Sequence, residues 1–322
     1  MPTPQAETAD VKRALSLLRG TRMNGAQACL AFFGSLSLCV YGSHVSEMPV
    51  AEKKFFGLAV FFMVAQGFTL AKTYRDRELA DLLSSVPTMR ASVIALRGTQ
   101  VWFLQVVVSF AIAIAFSFHT LLTAVGDGDR TGDAGFAIYS AAFALVSTLS
   151  FSKSVRDHAD AQMLEQVDMH DHDKFQKIIT ASYGSSANLV VVCAGLFLAT
   201  LSTIWGALSM TDDVLSMERK GFVVIAALFM MTSSFHLAKL IRDLADPVLA
   251  KDLHFAFMVL VCVSFAVACA IGFGGVQMMT IPEPKRRFLT NGLLFMLSST
   301  LSTAKLVRDR AEVRKLAKLH QE

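Results

Sequence analysis

Four blocks of this chain each hold an apolar run, a short polar loop and a second apolar run. The first runs cover residues 26–45, 101–125, 189–208 and 255–273. The second runs lie between a Phe and a Lys set 17 positions apart: Phe55 and Lys72, Phe136 and Lys153, Phe222 and Lys239, Phe288 and Lys305. At about 1.5 Å per helical residue that interval covers about 25 Å, and the turn carrying the following charges completes a bilayer span. The pattern predicts an all-α polytopic bundle of eight transmembrane helices, arranged as four tandem parallel two-helix hairpins. Its divisions are a polar segment at 1–25, hairpins at 26–83, 99–165, 185–250 and 255–312, and a basic tail at 313–322.

The repeat shows most plainly where each second run ends. Ala71-Lys72-Thr73-Tyr74-Arg75-Asp76, Ser152-Lys153-Ser154-Val155-Arg156-Asp157, Ala238-Lys239-Leu240-Ile241-Arg242-Asp243 and Ala304-Lys305-Leu306-Val307-Arg308-Asp309 all read small-Lys-x-x-Arg-Asp. On a helix the Lys shares a face with the Asp four positions on, while adjacent Arg and Asp point about 100 degrees apart. Three uses of this motif stand open: a snorkelling charge belt that sets orientation, Arg–Asp pairing that locks one repeat to the next, and a site for anionic lipid or another ligand. Three and six positions before each Lys stands a polar pair: Thr69 and Gln66, Ser150 and Ser147, His236 and Ser233, Ser302 and Ser299. In lipid, such groups serve as hydrogen-bond glue between helices, and the alternative is a polar path where four helices converge. The spacings Gly195/Ala199, Ala268/Gly272 and Ala270/Gly274 also predict close helix contact.

Charge placement orients the chain. Of the 30 Lys and Arg residues, 22 fall in the N-terminal segment or after the second run of a hairpin, and 8 fall in the loops within hairpins. The positive-inside rule then puts both termini in the cytoplasm, or on the matrix or stroma side of an organelle. Every hairpin enters from the same side, unlike the inverted repeats of many alternating-access carriers. No Asp, Glu, Lys or Arg stands near the middle of an apolar run, where ion-coupled carriers and pumps usually hold one.

Composition narrows the chemistry. Charged residues are 17% of the chain against about 25% in a soluble domain, and apolar residues are 53%. The net charge of +4 reflects one crowded membrane face and is no nucleic-acid footprint. The five cysteines all lie in apolar runs without CxxC spacing, so they read as small buried side chains. His170 and His172, within Asp168-Met169-His170-Asp171-His172-Asp173, are the weak candidates for a metal. No nucleophile elbow, phosphate loop or zinc-protease pattern occurs, so neither an enzyme nor a cofactor is expected. The expected surroundings are the lipid bilayer and anionic headgroups, with room for a homo-oligomer or a membrane-complex partner.

The block Glu218-Arg219-Lys220-Gly221-Phe222, a helix, then Ala238-Lys239-Leu240-Ile241-Arg242-Asp243 resembles the YiaA/YiaB two-helix membrane domain. The third hairpin is the closest. The first keeps Glu52, Lys53 and Lys54 without a Gly before Phe55, the second keeps Gly135 without the Lys, and the fourth has Pro284-Lys285-Arg286-Arg287. The resemblance implies four copies of a bacterial inner-membrane hairpin and carries no established chemistry. The expected role is a non-enzymatic structural or scaffolding membrane component. The alternative is a small-solute or ion channel or transporter lined by the Ser/Thr stripe.

Overall fold

A computed structural model of the protein describes residues 22–45, 50–83, 100–125, 131–166, 186–245 and 249–319. These residues form helices and turns, with no strand among them. The helices are α1 (Arg22–Val45), α2 (Val50–Leu83), α3 (Gln100–Val125) and α4 (Thr131–Gln166). Then come α5 (Ser186–Leu208), α6 (Met217–Ala245), α7 from Phe255 and α8 (Glu283–Leu319). Helix α7 runs as Phe255–Cys269, a π-helical turn Ala270–Gly274 and a last turn Gly275–Met278. Within α1, α2, α4, α5, α6 and α7 lie stretches long and apolar enough to cross a membrane.

The helices overrun the expected loops at both ends. Helices α2 and α4 begin at Val50 and Thr131, inside the loops expected at 46–54 and 126–135. Polar residues do not end a helix whose first turn lies in water, and Glu218 and Glu283 in the first turns of α6 and α8 complement the helix dipole. At the other end α8 continues without a break to Leu319, into the segment marked off from sequence as a basic tail at 313–322. Helix α2 likewise runs on past Asp76 to Leu83.

Side-chain size decides which helices sit inside. In lipid a Leu gains nothing by leaving hydrocarbon, so close packing of small residues determines the interior. Helix α4 carries Ala137, Ser140, Ala141, Ala144, Ser147 and Thr148 around its circumference, all buried. Its apolar window is 78% buried, against 17% for the Leu-, Val- and Phe-rich α7. Helix α4 packs on α1, α2, α3, α5 and α8, and belongs to two cores. Ala137, Ala141 and Ala144 face Cys39, Phe56, Val60 and Met63, whereas Tyr139, Phe143 and Val146 join the cluster of Leu289, Leu293 and Phe295. Large apolar side chains point outward instead, among them Phe33, Phe197, Trp205 and Phe255.

The pairing follows a rule. Helix α1 packs most extensively on α4 and α5 on α8, while α2 pairs with α3 and α6 with α7. The partners within an expected hairpin, α1 with α2 and α5 with α6, touch less. Contacts fix the directions. Between α1 and α4, Gly42 meets Phe136 and Ser35 meets Ser147, so the two are antiparallel. Between α4 and α8, Ser140 meets Asn291 and Lys153 meets Asp309, so these two are parallel.

Candidate functional site

Three of the four repeated Phe rings lie over a glycine of another helix. Phe136 covers Gly42 of α1, Phe288 covers Gly206 of α5, and Phe222 covers Gly275 of α7. A Cβ at Gly42 would lie 2.7 Å from the Phe136 ring. Phe55 is half exposed. Of the small-residue spacings, Gly195 meets Val146 beside a buried Ala199, and Gly272 meets Met230 beside a buried Ala268. The third does not make a contact: Ala270 is exposed and nothing lies within 4 Å of a Cβ at Gly274.

Residues alike in sequence are unlike in environment. Lys72 and Lys239, on α2 and α6, are exposed. Lys153 and Lys305, on α4 and α8, have side chains only 7% and 13% exposed. Both reach Asp309, which is 1% exposed: Lys305 Nζ lies 2.8 Å from Oδ2, and Lys153 Nζ lies 3.7 Å from the same oxygen. Arg308 binds Oδ1 through Nε and one terminal amino group. Arg242 clasps Asp243 likewise, at 2.8 and 2.7 Å. Among the described side chains, the motif's Arg–Asp pairs therefore lie within one helix, and the contact between helices is the Lys153–Asp309 pair. Asp76 is half-buried, and the side chains of Arg75, Arg156 and Asp157 lie outside the described residues. So do His170 and His172.

A cavity of about 30 Å³ lies beside this cluster, lined by Lys153, Ser150 and Ser154 of α4, Ser302 and Lys305 of α8, and Gln27 of α1. That is room for one or two water molecules. Gln27 Nε2 donates to Ser302 Oγ at 3.3 Å and to the Ser298 carbonyl. Near the opposite end, Asn291 Nδ2 donates to Ser140 Oγ at 2.9 Å. Beyond it, at the start of α8, a hydrogen bond from Arg287 holds the exposed Glu283 carboxyl below its usual range.

The polar stripe is divided among interfaces. Ser147, Ser233 and Ser299 are 2%, 2% and 1% exposed. Ser147 shares a 2.7 Å hydrogen bond with Ser35 of α1, while Ser233 and Thr69 donate to carbonyls of their own helices. Gln66 is half-buried and His236 exposed. Ser150 Oγ and Ser299 Oγ are buried without a partner. Superposing Gly42 on Gly206, the two glycines beneath matching Phe rings, sets Ser35 opposite Ala199 and Gln27 opposite Val191. Apolar residues thus occupy the α5 positions that would have supplied partners for Ser299 and Ser150.

That difference gives a paired expectation. Ser147→Ala removes an interhelical hydrogen bond and should cost about 0.6–1.5 kcal/mol. Ser299→Ala removes an unpaired buried hydroxyl and should be neutral or stabilising by up to about 1 kcal/mol. Unfolding midpoints in one detergent would check the pair, and an equal loss in both would refute it.

Gln27, Ser35 and Asn291 did not stand out in sequence because each lies outside the repeated register. The signal available was a polar side chain within a membrane-length segment. The cysteines also differ from expectation: Cys39 is buried, but Cys193 and Cys262 face outward, since a thiol in lipid gains little by burial. Among the described residues, no group of three His, Cys, Asp or Glu side chains is placed to hold a metal. No family model, curated protein or solved structure matches the chain.

Proposed function

We propose that this chain is an integral membrane protein of the YiaA/YiaB-like two-helix type, acting as a non-enzymatic structural or scaffolding component. In this reading all eight helices cross the bilayer as four tandem hairpins inserted the same way round. Both termini lie in the cytoplasm, and the resemblance makes the membrane a bacterial inner membrane. The observation that carries the proposal is the fate of the repeated polar groups. Ser147, Ser233 and Ser299 lie in closely packed interfaces on three different helices, and Lys153 and Lys305 close on Asp309. Side chains buried in packed interfaces on separate helices are not arranged around a common wet path. Parallel packing of α4 on α8 supports hairpins of one orientation, and the Lys-x-x-Arg-Asp ends support the cytoplasmic side for the termini.

The test is flux. Purified protein in liposomes loaded with monovalent ions or small neutral solutes should release them no faster than empty liposomes do. Rapid release would replace the scaffold by the channel.

A further inference from the structure

The two ends of the bundle are not packed alike. Helix α3 packs along both α2 and α4, whereas α7 packs on α6 and meets α8 chiefly at its π turn and last turn. The π turn, with Gly272 against Met230, holds that end of α7 close. Toward the other end α7 parts from α8 and leaves a groove of about 430 Å³. Apart from Gln27 of α1 its walls are apolar, with Phe235 and Ile241 of α6, Phe265 of α7, and Leu301, Ala304 and Val307 of α8. Its mouth carries Lys239, Arg242, Lys305 and Arg308. Among the described side chains, Asp243 lies beside Arg242 and Asp309 beside Lys305 and Arg308, while Lys239 is exposed. Each arginine gives its own carboxylate only Nε and one amino group, and a guanidinium has five donors.

We infer that this groove binds an anionic phospholipid, its phosphate held by Arg242, Arg308 and Lys239 and one acyl chain lying between α7 and α8. Three observations select this occupant. The volume is that of a ligand pocket. Apolar walls below a cationic mouth match the division of a phospholipid into chain and headgroup. Arginine's planar fork suits two oxygens of one phosphate. An apolar helix of a partner protein would fill the walls but offer no anion to the exposed Lys239 or to the remaining donors of Arg242 and Arg308. The inference rests on the chain lying in a bilayer with its Lys/Arg end at the headgroups, and is independent of a scaffolding role.

The experiment is native mass spectrometry of the full-length protein released from nanodiscs of equal phosphatidylglycerol and phosphatidylcholine. The wild type should retain phosphatidylglycerol at least tenfold over phosphatidylcholine. A basic residue near an anionic surface is worth a factor of about five, so Lys239→Gln/Arg242→Gln should cut retention about 25-fold. Lys239→Gln alone changes an exposed side chain and gives the fivefold step should the double variant fail to fold. Ala304→Phe fills the groove with its charges intact and should also abolish retention. Equal retention of the two lipids, an unchanged Lys239→Gln variant, or a lipid-free dimer would each overturn the site. Failure to enter nanodiscs would overturn both this site and the membrane reading. Flux without loss of lipid preference would remove only the scaffold.

Discussion

Asp309→Ala is expected to cost about 3–5 kcal/mol, the usual penalty for removing one member of a buried ionic group. Lys305, Arg308 and Lys153 share that carboxylate where it is 1% exposed. Without it, Lys305, Arg308 and Lys153 lose the buried carboxylate they share. The loss should appear as a large drop in the unfolding midpoint in detergent. Glu283→Gln, which opens an exposed pair at the start of α8, should leave the midpoint unchanged. The share that joins helices is measurable separately. Lys153 approaches at 3.7 Å and Lys305 at 2.8 Å, so a cycle of Lys153→Met with Asp309→Asn should show a coupling of about 1 kcal/mol. A loss below about 1 kcal/mol for Asp309→Ala would mean that the cluster does not hold α4 to α8.

The second large effect is steric. Gly292 of α8 lies against the Oγ1, Cβ and Cγ2 atoms of Thr203 on α5. An added methyl would meet atoms next to the α5 backbone, which cannot swing aside as a ring edge can. Gly292→Ala should therefore cost about 3 kcal/mol, at the upper end for overpacking, and Gly292→Leu more. Thr203 Oγ1 donates to the Ala199 carbonyl of its own helix, so Thr203→Ala alone loses little. Combined with Gly292→Ala, it removes the nearest atom and should restore most of the stability. A double variant no better than Gly292→Ala would refute the close approach. Gly206→Ala should be milder, because the half-buried Phe288 ring can turn away.

Run length and the recurrent Phe and Lys were enough to read eight helices, because hydrocarbon thickness imposes its length on the sequence. The partners were not legible. Hydropathy reports how a residue prefers water or lipid, and both faces of a membrane helix prefer lipid. What separates α4 from α7 is size, Ala137, Ala141 and Ala144 against Phe257, Leu260 and Val263, and size enters no hydropathy count. The candidate site was half legible for the same reason. The motif located Lys153, Lys239 and Lys305, yet gave them equal standing. Only the position of each helix, central or peripheral, makes Lys305 a buried partner of Asp309 and leaves Lys239 exposed. Arg–Asp pairing between repeats was a fair expectation from charge alone, but among the described side chains adjacent residues pair within their own helix and the lysine makes the crossing.

The pairing of α1 with α4 and of α5 with α8 constrains how the protein is made. Helix α1 emerges from the ribosome well before the helix it packs on, so it must stay in the bilayer alone at first, and its apolar stretch allows that. Helix α8 is under the opposite rule. With Asn291, Thr300 and Thr303 buried along it, its described residues are less apolar than those of the six helices that are long and apolar enough to cross a membrane. It is synthesised after the other seven, when α4, α5 and α6 can already line its place. If α8 crosses the bilayer as proposed, its polar face would pass from the insertion machinery to protein neighbours, with the translation schedule supplying what its hydropathy lacks.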